Sequence, residues 1–207
     1  MASALVILKP DASHRLAVRD ALWGWLRQER GWKLAGLTWF QPPAELIEQH
    51  YDFLQRRPFF PWLVDFMSAL PLLLGKVDAD PQELENMRYE LGETRIHEAR
   101  PGSLRERFGI WGGVNCLHLS DSPESGEKET KLWAGHLDLA KGDARPEPRA
   151  EPHPDHTFHL RSLFNQVAAD THRDLAMVEI KKLLREESDL TGDRFDALCR
   201  VMFGATG

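Results

Sequence analysis

The segment Asn115-Cys116-Leu117-His118-Leu119-Ser120-Asp121-Ser122 joins a predicted strand to a predicted helix and places a histidine between them. The apolar run over residues 114–119 predicts the strand. Ser122-Pro123 is typical of a helix start, and this helix is expected to run to about Trp133. His118 therefore lies beside free N–H groups that can bind an anion. A histidine among apolar neighbours is more often a core residue, so the local sequence leaves both roles open.

The chain before this segment alternates between apolar runs and helical patterns. Continuous or aromatic-rich apolar runs predict strands over residues 4–8, 32–40 and 70–77. Apolar residues at helical spacing predict helices that begin near residues 13, 44, 60 and 81, the second of them extending to 54. Glu124 and Lys128 are expected to pair on the helix that follows His118. The predicted order is βαβααβαβα.

The chain after the last of these helices changes character. Residues 139–156 hold several prolines among alternating charges and are predicted to form a charged linker. Residues 157–207 return to helical spacing and predict two or three amphipathic helices, whose apolar faces need a partner surface. The predicted division is a domain over 1–138, a linker over 139–156 and a helical extension over 157–207.

Composition narrows the classes of function. With 207 residues and 42% hydrophobic content, the chain can bury a full core. A net charge of -6 makes nucleic acid an improbable partner, because such binding relies on a basic surface. Apolar runs stay well short of membrane-spanning length, and Cys116 and Cys199 lie far apart without metal or redox spacing. Buried thiols and a cytoplasmic location are the expectations.

Candidates for a phosphate site are dispersed along the chain. Residues 91–113 lack a clean period, and a loop of this length in a compact domain is usually functional. Arg88, Arg105 and Lys9 can supply fixed cations for phosphate oxygens. Glu129 can hold one ring nitrogen of His118 while the other attacks. Surface arginines and solvated helix glutamates are common, and spacing alone leaves these alternatives open.

The order of the motifs from Leu5 to Trp133 resembles the nucleoside diphosphate kinase family. Each block by itself is weak evidence for the family, but the order and spacing of all the blocks together are specific for it. The matching blocks are Lys9-Pro10-Asp11, His50-Tyr51, Arg57-Pro58-Phe59-Phe60, Leu63-Val64, Arg88, Leu91-Gly92-Glu93-Thr94, Pro101-Gly102-Ser103-Leu104-Arg105, Phe108-Gly109-Ile110, Asn115, His118, Ser120-Asp121-Ser122, Glu124 and Glu129.

The resemblance implies a ferredoxin-like α/β sandwich (α+β), with helices on a four-stranded antiparallel sheet. It implies ping-pong transfer of a γ-phosphoryl group from a nucleoside triphosphate to His118, and then to a nucleoside diphosphate. Glu129 would orient His118, and Mg²⁺ would sit on the nucleotide phosphates without protein ligands. The implied nucleotide contacts are Lys9, Tyr51, Arg88, Thr94 and Arg105 for phosphates, Lys9 and Asn115 for the ribose, and Phe59 and Leu63 for the base. Lys9 and Tyr51 would also serve catalysis, and a homo-oligomer is expected.

The chain departs from the family pattern at three positions near the site. Leu119 stands where family members usually have Gly or Ala, and it is expected to crowd the histidine or shift the next helix. Val114 replaces an arginine, and Ile96 replaces a proline. Leu119 and Val114, together with the helical extension, motivate an alternative function: a nucleotide-binding scaffold or interaction protein of the same fold, with little or no turnover, that acts through its C-terminal helices and a protein partner.

Overall fold

A four-stranded antiparallel sheet forms the centre of the fold. The computed structural model describes residues 1–142, 144 and 151–207. The strands are β1 (Ala2–Leu8), β2 (Trp32–Phe40), β3 (Leu72–Ala79) and β4 (Leu117–Leu119). They lie in the order β2-β3-β1-β4, and every neighbouring pair is antiparallel. The predicted four-stranded antiparallel sheet is confirmed.

Helices cover both faces of the sheet and make up the C-terminal part. In chain order they are α1 (Pro10–Ser13), α2 (Leu16–Leu26), α3 (Ala44–His50), α4 (Phe60–Ser68), α5 (Pro81–Leu91), α6 (Leu104–Phe108), α7 (Pro123–Ala134), α8 (Thr157–Ala168), α9 (Arg173–Glu187) and α10 (Gly192–Phe203). Short 3-10 turns lie at Asp52–Leu54, Ile96–Glu98 and Gly204–Thr206. Among the residues described, none of the helices has the length and apolar content needed to cross a membrane.

The alternation of side chains along β1 separates two cores. Leu5 and Ile7 point to the core shared with α3, α4 and α7, which we call the site-side core. Val6 and Leu8 point to the opposite core, which is shared with α2 and α5. Since successive residues of a strand face opposite sides, shifting the register of β1 by one residue would move each of its side chains into the other core.

Several predicted element boundaries are wrong. The last strand begins at 117 rather than 114, because Cys116 has a φ of 67° and Val114 pairs with Trp111 instead. The helix predicted over 44–54 ends at His50 and gives way to a 3-10 turn, and the third strand lies over 72–79 instead of 70–77. The expected Glu124–Lys128 pair is replaced by Lys128 Nζ lying 3.6 Å from Asp52 Oδ2.

The three C-terminal helices pack on the same chain. Buried residues of α8, α9 and α10, among them Phe164, Ile180 and Met202, belong to the site-side core together with Phe66 and Trp133. The partner surface that the amphipathic pattern required is therefore the preceding part of this molecule. The division at 138 and 156 stays a prediction, and linker residues 143 and 145–150 lie outside the described residues.

The chain also covers part of the free edge of β2. The backbone N–H of Leu37 donates to the carbonyl of Gly142 at 3.4 Å, and the N–H of Ala144 donates to the Leu37 carbonyl at 2.9 Å. Covering an edge strand with its own chain limits pairing with another strand.

Candidate active site

His118 projects from the short strand β4 into the site-side core. Its backbone pairs with Ile7 of β1, and its side chain is 14% exposed. The ring nitrogen Nε2 lies 2.8 Å from Oε2 of Glu129. An ionised Glu129 accepts the proton of Nε2–H, so the lone pair of the neutral ring is on Nδ1. The predicted orienting contact between these two residues is present in the structure.

Glu129 reaches His118 because α7 runs unusually close to β1. A Cβ on Gly126 would lie 1.9 Å from the carbonyl oxygen of Ser3, so only glycine allows this approach. The start of α7 is fixed by Ser122, whose Oγ accepts a hydrogen bond from the N–H of Ser125 at 3.2 Å. One glycine and one N-cap therefore set the position of the carboxylate.

Ser120 supports the same carboxylate. Its hydroxyl donates to Oε2 of Glu129 at 2.7 Å and accepts from the N–H of Leu5 at 2.8 Å. Burial opposes ionisation of Glu129, but the hydrogen bond and charge of His118 outweigh it, and the pKa of Glu129 lies below its ordinary value. Ser120 was absent from the predicted site residues. Its spacing of two from His118 along an extended chain was the signal that would have placed it there.

His50 is a second residue that the site prediction missed. Its ring stands edge-on to that of His118, with ring centroids 4.7 Å apart. Its Nδ1 accepts a hydrogen bond from Trp133 Nε1–H at 3.1 Å. Burial, followed by the charge of His118, lowers the pKa of His50 to about 3, so the ring is neutral and carries its proton on Nε2. In the sequence His50 belongs to the apolar face of the predicted helix, and that pattern does not indicate a contact with His118.

The close approach of His50, His118 and Glu129 does not make a good metal site. Their candidate ligand atoms lie within 4.8 Å of one another. However, the free lone pair of neutral His50 is used by Trp133, and one Glu129 oxygen already accepts from both His118 and Ser120. The expectation that the protein supplies no metal ligands stays a prediction.

Lys9 and Asn115 form one edge of the site. Lys9 Nζ donates to Asn115 Oδ1 at 2.7 Å and to the Gly113 carbonyl at 3.1 Å. Asn115 Nδ2 in turn donates to the carbonyl of Thr94 at 2.8 Å. Burial, followed by the charge of Arg105, lowers the pKa of Lys9 to about 8. The two residues predicted near the ribose therefore contact each other and the long loop.

Arg105 and Arg88 reach the backbone around β4 from two helices. Arg105, on α6, donates to the carbonyls of Gly92 at 2.9 Å and Leu117 at 2.8 Å, and its Nη1 lies 3.3 Å from Thr94 Oγ1. Arg88, on α5, donates to the Leu119 carbonyl at 3.1 Å and pairs with Asp121 at 2.6 Å. The predicted phosphate-binding cations converge on the strand that carries His118.

Two predicted phosphate contacts hold buried polar atoms without partners. Tyr51 Oη and Arg105 Nε have no hydrogen-bond partner among the residues described. The Tyr51 ring lies 6.1 Å from that of His118, and burial raises its pKa, so the hydroxyl keeps its proton. Buried donors are normally satisfied, and both atoms fit a ligand that brings oxygen acceptors.

The predicted base contacts lie at the start of α4. Phe59, directly before the helix, is 47% exposed, while Leu63 is 5% exposed and belongs to the site-side core with Tyr51. Among the described residues, the hydrogen bonds and ring contacts that connect the His118 cluster do not include Phe59. The structure thus leaves an exposed aromatic ring where stacking was predicted.

The expectation that Leu119 crowds His118 is wrong. Leu119 is 2% exposed and belongs to the opposite core, because adjacent strand residues face opposite sides. The next helix still begins at the predicted Pro123. Val114 is likewise buried, within the site-side core.

Comparison with known proteins identifies the family. The family model described as nucleoside diphosphate kinase matches residues 2–138, about two thirds of the chain. The chain belongs to the nucleoside diphosphate kinase family. The C-terminal helices lie beyond the residues that the nucleoside diphosphate kinase model matches, as expected from the resemblance.

Individual proteins similar to this chain carry the name of the same family. The nucleoside diphosphate kinase of Chloroflexus aurantiacus is 37% identical over 133 residues, which are 64% of this chain and 87% of that protein. Nucleoside diphosphate kinase 2, chloroplastic, of Nicotiana tabacum is 34% identical over 143 residues, 69% of this chain and 60% of that protein. The solved Aquifex aeolicus nucleoside diphosphate kinase has a TM-score of 0.57 at 34% identity, covering 63% of this chain and 93% of that one.

Proposed function

We propose that this chain is an active nucleoside diphosphate kinase whose nucleophile is Nδ1 of His118. The 2.8 Å contact between Nε2 of His118 and Glu129 carries the proposal. It supports one tautomer, with the proton on Nε2 and the lone pair on Nδ1, and a carboxylate that stabilises the charge that the ring acquires. Ser120 donates to the same carboxylate oxygen and so helps to hold it beside the ring.

In the first half-reaction, Nδ1 attacks the γ-phosphorus of a nucleoside triphosphate. The N–P bond forms as the bond from phosphorus to the β–γ bridging oxygen breaks, and the nucleoside diphosphate leaves with that electron pair. A second nucleoside diphosphate then takes the phosphoryl group by the reverse displacement. Lys9, Arg88 and Arg105 would neutralise phosphate charge, and Tyr51 and Thr94 would donate hydrogen bonds, which suits a reaction that depends mainly on alignment and electrostatics.

Nucleotide binding would use the remaining predicted contacts. The exposed ring of Phe59 offers a stacking surface, Leu63 on α4 would pack beside the base, and Lys9 and Asn115 would contact the ribose. Stacking does not read base identity, so we expect acceptance of several bases. A divalent cation, for which we propose Mg²⁺, would be held by the phosphate oxygens and would supply further charge neutralisation.

The scaffold alternative is not favoured. It depended on Leu119, on Val114 and on C-terminal helices that needed a partner. Leu119 lies in the opposite core, and the buried faces of the helices pack on this chain. A homo-oligomer, a cytoplasmic location and a protein partner for the C-terminal helices stay predictions.

Phosphoenzyme formation tests the proposal. Incubation with ATP labelled at the γ-phosphate should give an acid-labile, alkali-stable phosphoprotein that GDP discharges. His118→Ala should not label, whereas His159→Ala, an exposed histidine on α8, should label as wild type does. Equal labelling of wild type and His118→Ala would exclude His118 as the nucleophile.

Glu129→Gln tests the orienting role separately. Losing a charge-assisted hydrogen bond costs about 1.5–3 kcal/mol, which corresponds to labelling slower by about 10- to 160-fold. Labelling at the wild-type rate would show that the contact between His118 and Glu129 does not matter for transfer.

A further inference from the structure

The C-terminal end of α6 is held by two arginine side chains. Arg161, on α8, donates through Nη2 to the carbonyls of Glu106 at 2.5 Å and Gly109 at 2.7 Å, and through Nε to Gly109 at 3.1 Å. Arg15 donates through Nη1 to the carbonyl of Phe108 at 3.2 Å. Three carbonyls at the end of α6 thus accept bonds from guanidinium groups.

The short helix α6 depends on such contacts. It has five residues, and a helix of that length is not stable without tertiary support. Its last carbonyls lack partners within the helix, and cations are favourable at this negative end. Arg105, which we expect to bind phosphate, lies on α6, so the contacts that hold this helix also set the position of the Arg105 backbone.

Arg15 is itself held by the C-terminal part of the chain. Arg15 joins α1 to α2 in the chain, and its fully buried side chain pairs with Glu187 at the end of α9. It also donates to Thr157 Oγ1 at 2.7 Å and lies 3.3 Å from Asp155 Oδ1. Both guanidinium groups at the end of α6 therefore depend on residues beyond 150.

The C-terminal helices also contact α4, the helix that carries the predicted base contacts. Trp62, on α4, donates through Nε1 to the carbonyl of Val201 on α10 at 2.7 Å, and Asp65 pairs with Arg200. α4 starts directly after Phe59 and carries Leu63, the residues predicted to contact the base. The C-terminal helices thus bond to both segments that carry predicted nucleotide contacts.

We propose that the C-terminal helices are a built-in positioning element for the nucleotide site, and that Arg161 is the positioning residue through which they hold α6 and Arg105. This inference rests on the proposed function, because it assigns Arg105 to phosphate. The side-chain hydrogen bonds of Arg161 go to backbone carbonyls at the end of α6, and its guanidinium also lies over the ring of Phe158 on its own helix. Its effect on nucleotides is therefore expected to pass through α6.

Arg161→Met tests the proposal against a matched variant. Arg173→Met removes a similar contact, from Arg173 Nη1 to the carbonyl of Val167 at 3.3 Å, but this contact lies within the C-terminal helices. We expect Arg161→Met to raise KM for the nucleoside diphosphate about tenfold or more, with a smaller change in kcat, because Arg105 binds phosphate in both ground and transition states. Arg161→Lys should recover part of the loss, and Arg173→Met should leave KM near wild type.

Hydrogen exchange gives a readout that does not depend on turnover. The amides of Arg107 and Gly109 donate within the turns of α6, to Ser103 and Arg105, and should exchange faster in Arg161→Met than in Arg173→Met. Nucleotide affinity measured by calorimetry should fall in parallel. If wild type shows no phosphotransfer, the proposed function fails, while exchange and affinity still decide the positioning role. Unchanged exchange and KM in Arg161→Met, or equal changes in Arg173→Met, would overturn the proposal.

Discussion

The buried ion pair between Arg15 and Glu187 gives the sharpest prediction about the attachment of the C-terminal helices. The two side chains are 0% and 1% exposed and contact each other through Arg15 Nε. Apart from this pair, Glu187 accepts from the backbone N–H of His156, and Arg15 is bonded to Thr157 and to the Phe108 carbonyl. We expect Arg15→Met and Glu187→Met to be strongly destabilising alone and far less so together.

The magnitude follows from desolvation. Removing one partner leaves the other charge buried without its counter-ion, at a cost of about 3–5 kcal/mol, whereas replacing both by apolar groups of similar volume is often close to neutral. For a chain of this size, such a loss lowers the thermal midpoint by about 6–20 °C, at about 2–4 °C per kcal/mol. Glu187→Met should lose less, since Asp155 remains 3.3 Å from Arg15 Nη2 as a partial counter-ion.

A double-mutant cycle measures this coupling. Urea unfolding of wild type, the two single variants and the double variant gives the interaction free energy, provided that different probes report one transition. We expect a coupling of about 2 kcal/mol or more. Single variants that each lose less than about 1 kcal/mol, with additive effects in the double variant, would refute the view that this pair anchors the C-terminal helices.

Three further predictions concern the site and the cores. Leu119→Ala should cost about 2–5 kcal/mol of unfolding free energy, measured by urea unfolding, without speeding phosphotransfer; faster turnover at unchanged stability would support crowding instead. The ratio kcat/KM should fall as the pH rises through about 8, where free Lys9 loses its charge, and a flat pH–rate profile would argue against Lys9 as a phosphate contact. Burial lowers the pKa of His50 to about 3 in the native state, whereas the pKa of the unfolded residue is 6.5. Between these two pH values His50 is therefore protonated in the unfolded chain and neutral in the native one. Stability should therefore fall between those two values as the pH is lowered, and the slope should be smaller in His50→Gln.

Much of the site could be expected from the order of residues. The ordered motifs placed Lys9, Arg88, Arg105, Asn115 and Glu129 around His118, and hydrogen bonds now connect Lys9 with Asn115 and His118 with Glu129. The family and the antiparallel sheet are confirmed, whereas the roles of the individual residues remain predictions.

The misses have physical causes. His50 was hidden because a histidine on an apolar stripe gives no sign of which ring it will meet, and the contact to His118 joins α3 to β4. The first part of the last predicted strand was wrong because the positive φ of Cys116 is a property of its surroundings. A β-strand preference was overridden there by pairing between Val114 and Trp111.

Local sequence patterns are enough to predict the four strands and the longer helices, the amphipathic character of the C-terminal part and the set of polar residues that marks the family. These features are local: periodicity, caps and motif spacing are written in neighbouring residues. Three-dimensional packing was needed to show that Leu119 faces away from His118, that the C-terminal helices pack on their own chain, and that Arg15 is buried against Glu187. Those outcomes depend on contacts between residues far apart in the chain. Such contacts stabilise the protein only when the two cores have formed, so local sequence patterns do not predict them.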